Sequence, residues 1–166
     1  MLFRSGLATG SILPNVVLYI VLALISGNQC LSLFCNVPTV EAGQIALFGA
    51  ALFGSCLGFL WFNAHPAQIF MGDVGSLALG ATLACMAIFI RQELLLPIAG
   101  IVFVGEVVSV IIQCIAIKRY KQKIFKMAPV HHHFELMGLQ EPKIMIRFVI
   151  VSILMSCFAL VVALSF

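Results

Sequence analysis

The sequence predicts an all-α, polytopic membrane protein of about five spanning helices, because it contains that many apolar runs near the roughly 20 residues a span needs. Of its 166 residues, 63% are hydrophobic and only 9% are charged, whereas an ordinary soluble domain carries about 25% charged residues. The apolar runs are continuous rather than alternating, which favours helices over the strands of a membrane barrel. We therefore expect residues 1–166 to form a single transmembrane domain.

Five apolar runs justify the five predicted spans. They are Ser11–Ser26, Ala42–Phe62, Val74–Ile90, Leu94–Ile117 and Ile144–Phe166. The first and third are at the short end of the usual range of about 17–25 residues. The third can begin earlier, inside the polar loop that precedes it. Each run alternates with a segment rich in polar residues or proline, which supplies the loops between the spans.

Basic residues are distributed unevenly between the two sides that these spans define. One side receives Arg4, Lys118, Arg119, Lys121, Lys123, Lys126, Lys143 and Arg147, and the other receives only Arg91. Cytoplasmic loops of membrane proteins are enriched in lysine and arginine. We therefore predict that the N-terminus is inside and the C-terminus outside, with the loops Asn63–Asp73 and Lys118–Lys143 both on the cytoplasmic face. The net charge of +3 is small, and nucleic acid is not an expected partner.

Asp73 is the only aspartate in the chain, and it lies between Gly72 and Gly75 at a predicted membrane boundary. Magnesium in proteins typically takes one or two carboxylates plus substrate phosphates. The glycines let a phosphate approach the backbone closely, and a helix starting near Val74 offers its positive end to an anion. The alternative is an aspartate that caps this helix, and the two roles are compatible.

Three consecutive histidines, His131, His132 and His133, stand in the second cytoplasmic loop. Neighbouring side chains point in different directions on a helix or strand, so the three are poorly placed to ligate one metal. They are better suited to donate hydrogen bonds to a phosphate-bearing substrate, although a solvated polar loop is the alternative. Phe70 is suited to stack on a flat ring, or else to rest at the membrane interface.

Glu106 lies well inside the fourth apolar run. An ionisable residue at membrane depth is costly and is by default a functional candidate. The alternative, which we favour because the sequence identifies no partner, is a carboxyl group that joins helices by a hydrogen bond. Gln113, about two turns further on, is expected to line the same cytoplasm-facing cavity.

Two stretches give the chain a recognisable resemblance. They are Asn63–Gly80 (NAHPAQIFMGDVGSLALG) and Ala128–Phe148 (APVHHHFELMGLQEPKIMIRF). Together they resemble the phospho-N-acetylmuramoyl-pentapeptide-transferases, a branch of the polyprenyl-phosphate N-acetylhexosamine-1-phosphate transferases. The resemblance extends over essentially the whole chain from Gly6 onward.

The resemblance implies a reaction in the bacterial inner membrane, with the active-site loops on the cytoplasmic side. Phospho-N-acetylmuramoyl-pentapeptide would pass from UDP-MurNAc-pentapeptide to undecaprenyl phosphate, giving lipid I and UMP with Mg²⁺ as cofactor. Asp73 would be a catalytic residue and the magnesium ligand, and His131, His132 and His133 would form the catalytic histidine cluster. The candidate substrate-binding residues are Asn63, Phe70, Gly72, Ser76 and Gln113.

The chain also departs from this family. The resemblance implies an enzyme about twice as long, with about ten spans of roughly 20 residues each, and a pair of adjacent aspartates in its first half that this chain lacks. Ser5 precedes Gly6-Leu7-Ala8 where the family has aspartate, and Leu139 replaces a tryptophan. We therefore expect the C-terminal half of an enzyme, inactive without its N-terminal half or a partner chain; a homodimer is also compatible.

Three other functions stay open at this stage. A transferase for another UDP-linked sugar has the same aspartate motif, although the histidine stretch argues against it. A non-catalytic membrane subunit has the same hydrophobic pattern. A transporter is less well supported, because transporters often show paired repeats and broken helices at the midplane, whereas the polar residues here cluster towards one face.

Overall fold

The computed structural model describes residues 2–28, 43–63, 69–121, 124–125 and 127–165. Within these ranges all regular structure is helical, and five helices are long and apolar enough to cross a membrane. The long helices are α1 (Leu2–Ser26), α2 (Gly43–Asn63), α3 (Gly72–Phe89), α5 (Ile101–Tyr120) and α7 (Glu141–Ser165). Short elements are a 3-10 turn (Glu93–Leu95), α4 (Leu96–Ala99) and α6 (Val130–Glu135). The prediction of an all-α, multi-pass membrane protein is confirmed.

The fourth apolar run does not form one continuous helix as predicted. Residues 93–95 form a 3-10 turn, α4 contains Pro97 in its first turn, and Gly100 separates α4 from α5 with φ −85° and ψ 24°. Proline lacks the N–H that a helix interior needs and is tolerated in a first turn. The proline and the glycine therefore divide the run, and the span itself begins at Ile101 rather than Leu94.

Helix α1 lies at the centre of the bundle. In the span Gly6–Ser26, 61% of the residues are buried, against 17–22% in each of the other four spans. It packs against α2, α3 and α7, and its Tyr19 and Leu22 side chains are fully buried. The first span is thus the core around which the others assemble.

The outward faces of the other spans remain strongly apolar. Trp61, Val74 and Leu94 are each more than 80% exposed, and many other large apolar side chains are exposed along α5 and α7. Hydrocarbon is as apolar as leucine, so such faces are stable in a bilayer although they would associate in water. This distribution agrees with the low charge content of the sequence.

Candidate functional site

A cavity of about 470 Å³ brings the two sequence motifs together. Its wall includes Ser76 from the first turns of α3, Glu106 from α5 and His131 from α6. Apolar residues of α1, α3 and α5 supply most of the remainder, together with Leu96 of α4 and Pro129. Ser76 and His131 are 55 positions apart by their residue numbers. The aspartate motif and the histidine motif therefore border one space on the same side of the bundle.

Asp73 lies at the N-terminal end of α3, next to that cavity. Its residue is exposed, and its carbonyl oxygen accepts a 3.0 Å hydrogen bond from the hydroxyl of Ser76. The cap position of α3 is Met71, with no side-chain capping bond, so Asp73 belongs to the first turn and is not the N-cap suggested as an alternative. A carboxylate in a first turn is favoured by the positive end of the helix.

Gly72 adopts a positive φ of 69° immediately before Asp73. Residues other than glycine rarely tolerate this left-handed backbone conformation. A Cβ atom placed on Gly72 would meet no atom within 4 Å, so the requirement comes from the backbone and not from crowding. Glycine therefore allows the chain to turn sharply into α3 and to present Asp73 at its start.

The pair Glu106–His131 is a largely enclosed polar contact in the wall of the cavity. Oε2 of Glu106 lies 2.9 Å from Nδ1 of His131, and the two side chains are 15% and 6% exposed. Helix α5 supplies the glutamate and α6 the histidine. The contact therefore joins a membrane span to the segment between α5 and α7 that contains the three histidines, which we call the histidine loop. The sequence marked Glu106 as unusual but offered no partner for it, because the two residues are 25 positions apart.

The other two histidines have different surroundings. His132 contacts Glu135 through Nδ1 and Oε2 at 2.7 Å, within the same short helix, and both side chains are partly exposed. The ring of His133 lies 5.7 Å from that of Phe125 in an edge-to-face arrangement. The rings of His131 and His132 lie close together, with centroids 4.2 Å apart and planes tilted by 45°. Of the three histidines, only His131 lines the cavity.

Asn63 and Phe70 flank the turn that leads to Asp73. Asn63 ends α2 and is 8% exposed, and its Nδ2 donates a 2.7 Å hydrogen bond to the carbonyl oxygen of Ile69. Asn63 therefore ties the end of α2 to the approach to α3. Phe70 is 55% exposed, which leaves its ring accessible. Residues 64–68 of this predicted loop lie outside the described residues.

Gln113 holds the segment that follows α5. Its Nε2 donates to the carbonyl oxygen of Phe125 at 3.1 Å, and its Oε1 accepts from the backbone N–H of Phe125 at 3.0 Å. The side chain is buried and uses both ends of its amide in this clamp. Its predicted contact with substrate stays a prediction, whereas its contact with the histidine loop is direct.

Comparisons with known proteins place this chain among enzymes of one kind. The sequence model described as "Glycosyl transferase family 4" matches residues 5–91, which is more than half of the chain. The chain belongs to glycosyl transferase family 4. The match covers α1, α2 and α3, including Asp73, and ends before the histidine loop.

Individual relatives extend this similarity over the histidine loop. The chain is 52% identical to a phospho-N-acetylmuramoyl-pentapeptide-transferase of Desulfotalea psychrophila over 94% of this chain and 44% of the relative. It is 48% identical to the protein of that name from Brachyspira hyodysenteriae, over 92% of this chain and 40% of the relative. For Koribacter versatilis the identity is 49%, over 94% and 41%. The chain thus spans less than half the length of these relatives.

The magnesium ion predicted at Asp73 stays a prediction, and the surroundings of this carboxylate show which mode of metal binding they fit. Among the described residues, no group of three or more histidine, cysteine, aspartate or glutamate side chains is placed to bind a metal. Magnesium usually retains several waters and completes its shell with substrate phosphates, so that one carboxylate can be the whole protein contribution. An exposed Asp73 fits that mode of binding, and a closed protein cage for the metal is not present in the described ranges.

Proposed function

We propose that this chain is part of an enzyme that transfers phospho-N-acetylmuramoyl-pentapeptide from UDP to undecaprenyl phosphate, forming lipid I and UMP. The observation that carries the proposal is the cavity shared by Ser76, next to Asp73, and His131. Support also comes from relatives of 48–52% identity that bear the name of this transferase. The bacterial sources of these relatives favour the cytoplasmic membrane. The lysines and arginines on one side of the predicted spans favour an orientation in which the N-terminus, Asp73 and the histidines face the cytoplasm.

Phosphoryl transfer depends chiefly on positioning and on neutralising charge, since the transition state spreads its charge over the phosphoryl oxygens. Asp73 would hold a Mg²⁺ ion, which when bound supplies positive charge to the diphosphate of the UDP-linked substrate. Other residues of the chain would bind and orient the substrate. His131, His132 and His133 would donate hydrogen bonds to phosphate oxygens, and the exposed ring of Phe70 would stack on the uracil base.

The remaining candidates would shape the site. Gly72 is at the start of α3, where the first backbone N–H groups lack a partner within the helix and can donate to a phosphate oxygen. Ser76, one turn later, would present its hydroxyl to the substrate. Asn63 would contact the substrate from the end of α2, while also bonding to Ile69. Gln113 is not among the residues that line the cavity, and it would act through the Phe125 segment that it holds. The apolar side chains of the cavity would contact the isoprenoid chain next to the phosphate of undecaprenyl phosphate.

The proposed function is tested with a reconstituted enzyme. The 166-residue chain is expressed alone, and also together with the part of the Desulfotalea psychrophila relative that lies outside the matched region. Membranes in detergent receive UDP-MurNAc-pentapeptide, undecaprenyl phosphate and Mg²⁺, and both UMP and the lipid product are measured. We expect the chain alone to be inactive, since it contains a single aspartate, and the pair of segments to be active.

Three outcomes contradict parts of this proposal. Turnover by the chain alone would show that a second segment is unnecessary. Preferential use of UDP-N-acetylglucosamine by the co-expressed pair would indicate a related sugar-1-phosphate transferase instead. A stable complex of the two segments that releases no UMP from either donor would favour a non-catalytic membrane subunit. The relative's own full-length enzyme, assayed in parallel, verifies the substrates and the detection of UMP.

A further inference from the structure

Placing the carboxylate of Glu106 inside a membrane span costs free energy, which suggests that the residue has a functional role. It is the sixth residue of α5 by its number, within the span Ile101–Arg119, and its side chain is only 15% exposed. Buried carboxylates are costly, and an apolar pair of similar size often stabilises a protein as well or better. The chain nevertheless places this carboxylate directly against His131, which lines the cavity.

Glu106 is not needed merely to attach the histidine loop to α5. Gln113 already holds the backbone of Phe125 by two hydrogen bonds. Residues 106 and 113 are about two turns apart, so they occupy the same face of α5. Gln113 fixes main chain, whereas Glu106 contacts an imidazole nitrogen. The two contacts therefore differ in effect. The Gln113 contact holds the segment around Phe125, and the Glu106 contact bears on the orientation of the His131 ring.

A carboxylate can only accept a hydrogen bond, whereas each imidazole nitrogen can donate or accept. The 2.9 Å contact therefore places the hydrogen of His131 on Nδ1 when Glu106 is ionised. Partners of this kind set both the tautomer and the ring orientation of functional histidines. The second oxygen, Oε1 of Glu106, is buried and has no hydrogen-bond partner among the described residues. Among these residues, the Glu106 side chain therefore forms its hydrogen bond to His131 through Oε2.

We propose that Glu106 is a positioning residue that fixes the tautomer and the orientation of His131 for the transfer reaction. This inference rests on the proposed function. Glu106 would act through His131, because its Oε2 lies 2.9 Å from Nδ1 of that ring. Loss of its carboxylate should therefore reduce turnover in an enzyme that still contains His131, and should have no further effect in an enzyme that lacks it.

The first test examines the ring directly and needs no substrate. The 166-residue chain is labelled with ¹⁵N-histidine in detergent, and the His131 signals are assigned by their loss in His131→Asn. We expect the wild-type chain to show His131 with the hydrogen on Nδ1, and Glu106→Met to lose that signature. Ser109→Ala is the matched control, because its hydroxyl donates to the backbone oxygen of Glu106 and not to the carboxylate. An unchanged His131 signal in Glu106→Met would overturn the proposal.

The second test measures turnover in the co-expressed enzyme by a double-mutant cycle. Glu106→Met should lower kcat by about 10- to 100-fold, the usual effect of removing the partner of a functional histidine. Glu106→Gln, which retains an oxygen at the same reach, should lose less. In the His131→Asn background, either substitution should change kcat by less than about twofold, because coupled residues are not additive.

The outcomes separate this inference from the proposed function. Losses that multiply in the double variant, or a Glu106→Met enzyme with wild-type kcat, would overturn the positioning role while the enzyme remains active. A wild-type complex that makes no lipid product would instead overturn the proposed function. If Glu106→Met does not purify as the wild-type chain does, Glu106→Gln completes both the cycle and the ring measurement.

Discussion

The hydroxyl of Ser152 donates a 2.6 Å hydrogen bond to the carbonyl oxygen of Ser11, joining the last described span to the first. One turn further along, the hydroxyl of Ser156 donates to Oδ1 of Asn15 at 3.0 Å, and Nδ2 of Asn15 donates to the same Ser11 oxygen at 3.1 Å. All four residues are buried. Small polar residues allow membrane helices to approach and to bond across their interface. This seam therefore fixes the register between α1 and α7.

Removal of the Ser152 hydroxyl should weaken the packing of α7 on α1. We expect Ser152→Ala to lower the free energy of unfolding by about 1 kcal/mol, since hydrogen bonds between membrane helices contribute about 0.6 kcal/mol on average and up to about 1.7 kcal/mol. Unfolding in mixed detergent micelles, followed by circular dichroism, measures the change. Ser165→Ala is the control, because that exposed hydroxyl donates to the carbonyl oxygen of Val161 in its own helix. Equal midpoints for the two variants would contradict the role of the seam.

Gly49 provides a second test of how the spans pack. A Cβ atom at this buried position would lie 2.7 Å from both Cγ1 of Ile20 and Cε of Met86. We expect Gly49→Ala to destabilise the bundle by about 1–3 kcal/mol, the usual cost of overpacking. Gly54→Ala is the matched control in the same helix, where nothing lies within 4 Å. Alanine there should be neutral or stabilising. The same unfolding assay would contradict this prediction if Gly49→Ala were the more stable variant.

The sequence predicted the spans well because run length and charge content are local properties. The exception is the segment around Pro97 and Gly100, where composition is apolar but the backbone cannot continue as one helix. Contacts between distant residues were beyond local patterns. Glu106 was recognised as unusual, but its partner depends on how α6 folds back onto α5. Ser152 looked like an ordinary small residue, because only the packed bundle brings it to Ser11.

The candidate site likewise has parts that the sequence predicted and contacts that only the fold revealed. Asp73 and the three histidines were identified from motif chemistry, and the fold then brought Ser76 and His131 to one cavity. The bonding of Gln113 was not predictable, because an amide in an apolar run indicates a polar neighbour without saying which. Here that neighbour is the backbone of Phe125. The histidine loop is consequently held by α5 at two points that the sequence did not connect.

The clamp formed by Gln113 predicts a local change in protection. The N–H of Phe125 donates to Oε1 of Gln113, so Gln113→Leu removes its acceptor. Hydrogen exchange at Phe125, measured by mass spectrometry in detergent, should become at least about tenfold faster, because local opening no longer breaks a bond of about 1.4 kcal/mol. Gln44→Leu, at an exposed position of α2, should leave Phe125 unchanged. Equal protection in both variants would mean that other contacts hold this segment.

Asp73→Asn tests the charge of the proposed magnesium ligand without altering its size. Loss of the charge removes a favourable interaction with the positive end of α3, which contributes about 0.3–1 kcal/mol, so the protein should still fold and lose at most that much stability. Transfer by the co-expressed enzyme should fall by at least about 100-fold, the scale seen when a group that stabilises developing charge is removed. The remaining activity should depend less steeply on Mg²⁺, because a neutral amide binds the ion more weakly than a carboxylate.

The control for Asp73 is Glu93→Gln, another exposed carboxylate in the first turn of a helix, at the far end of α3. It removes the same charge from the same chain, but at the opposite end of α3 from Asp73, so turnover and Mg²⁺ dependence should be unchanged. A titration of UMP release against Mg²⁺ compares the three enzymes. If Asp73→Asn keeps near-normal turnover, Asp73 serves only the N-terminal end of α3. If both variants lose activity equally, the effect comes from overall charge and not from a site at Asp73.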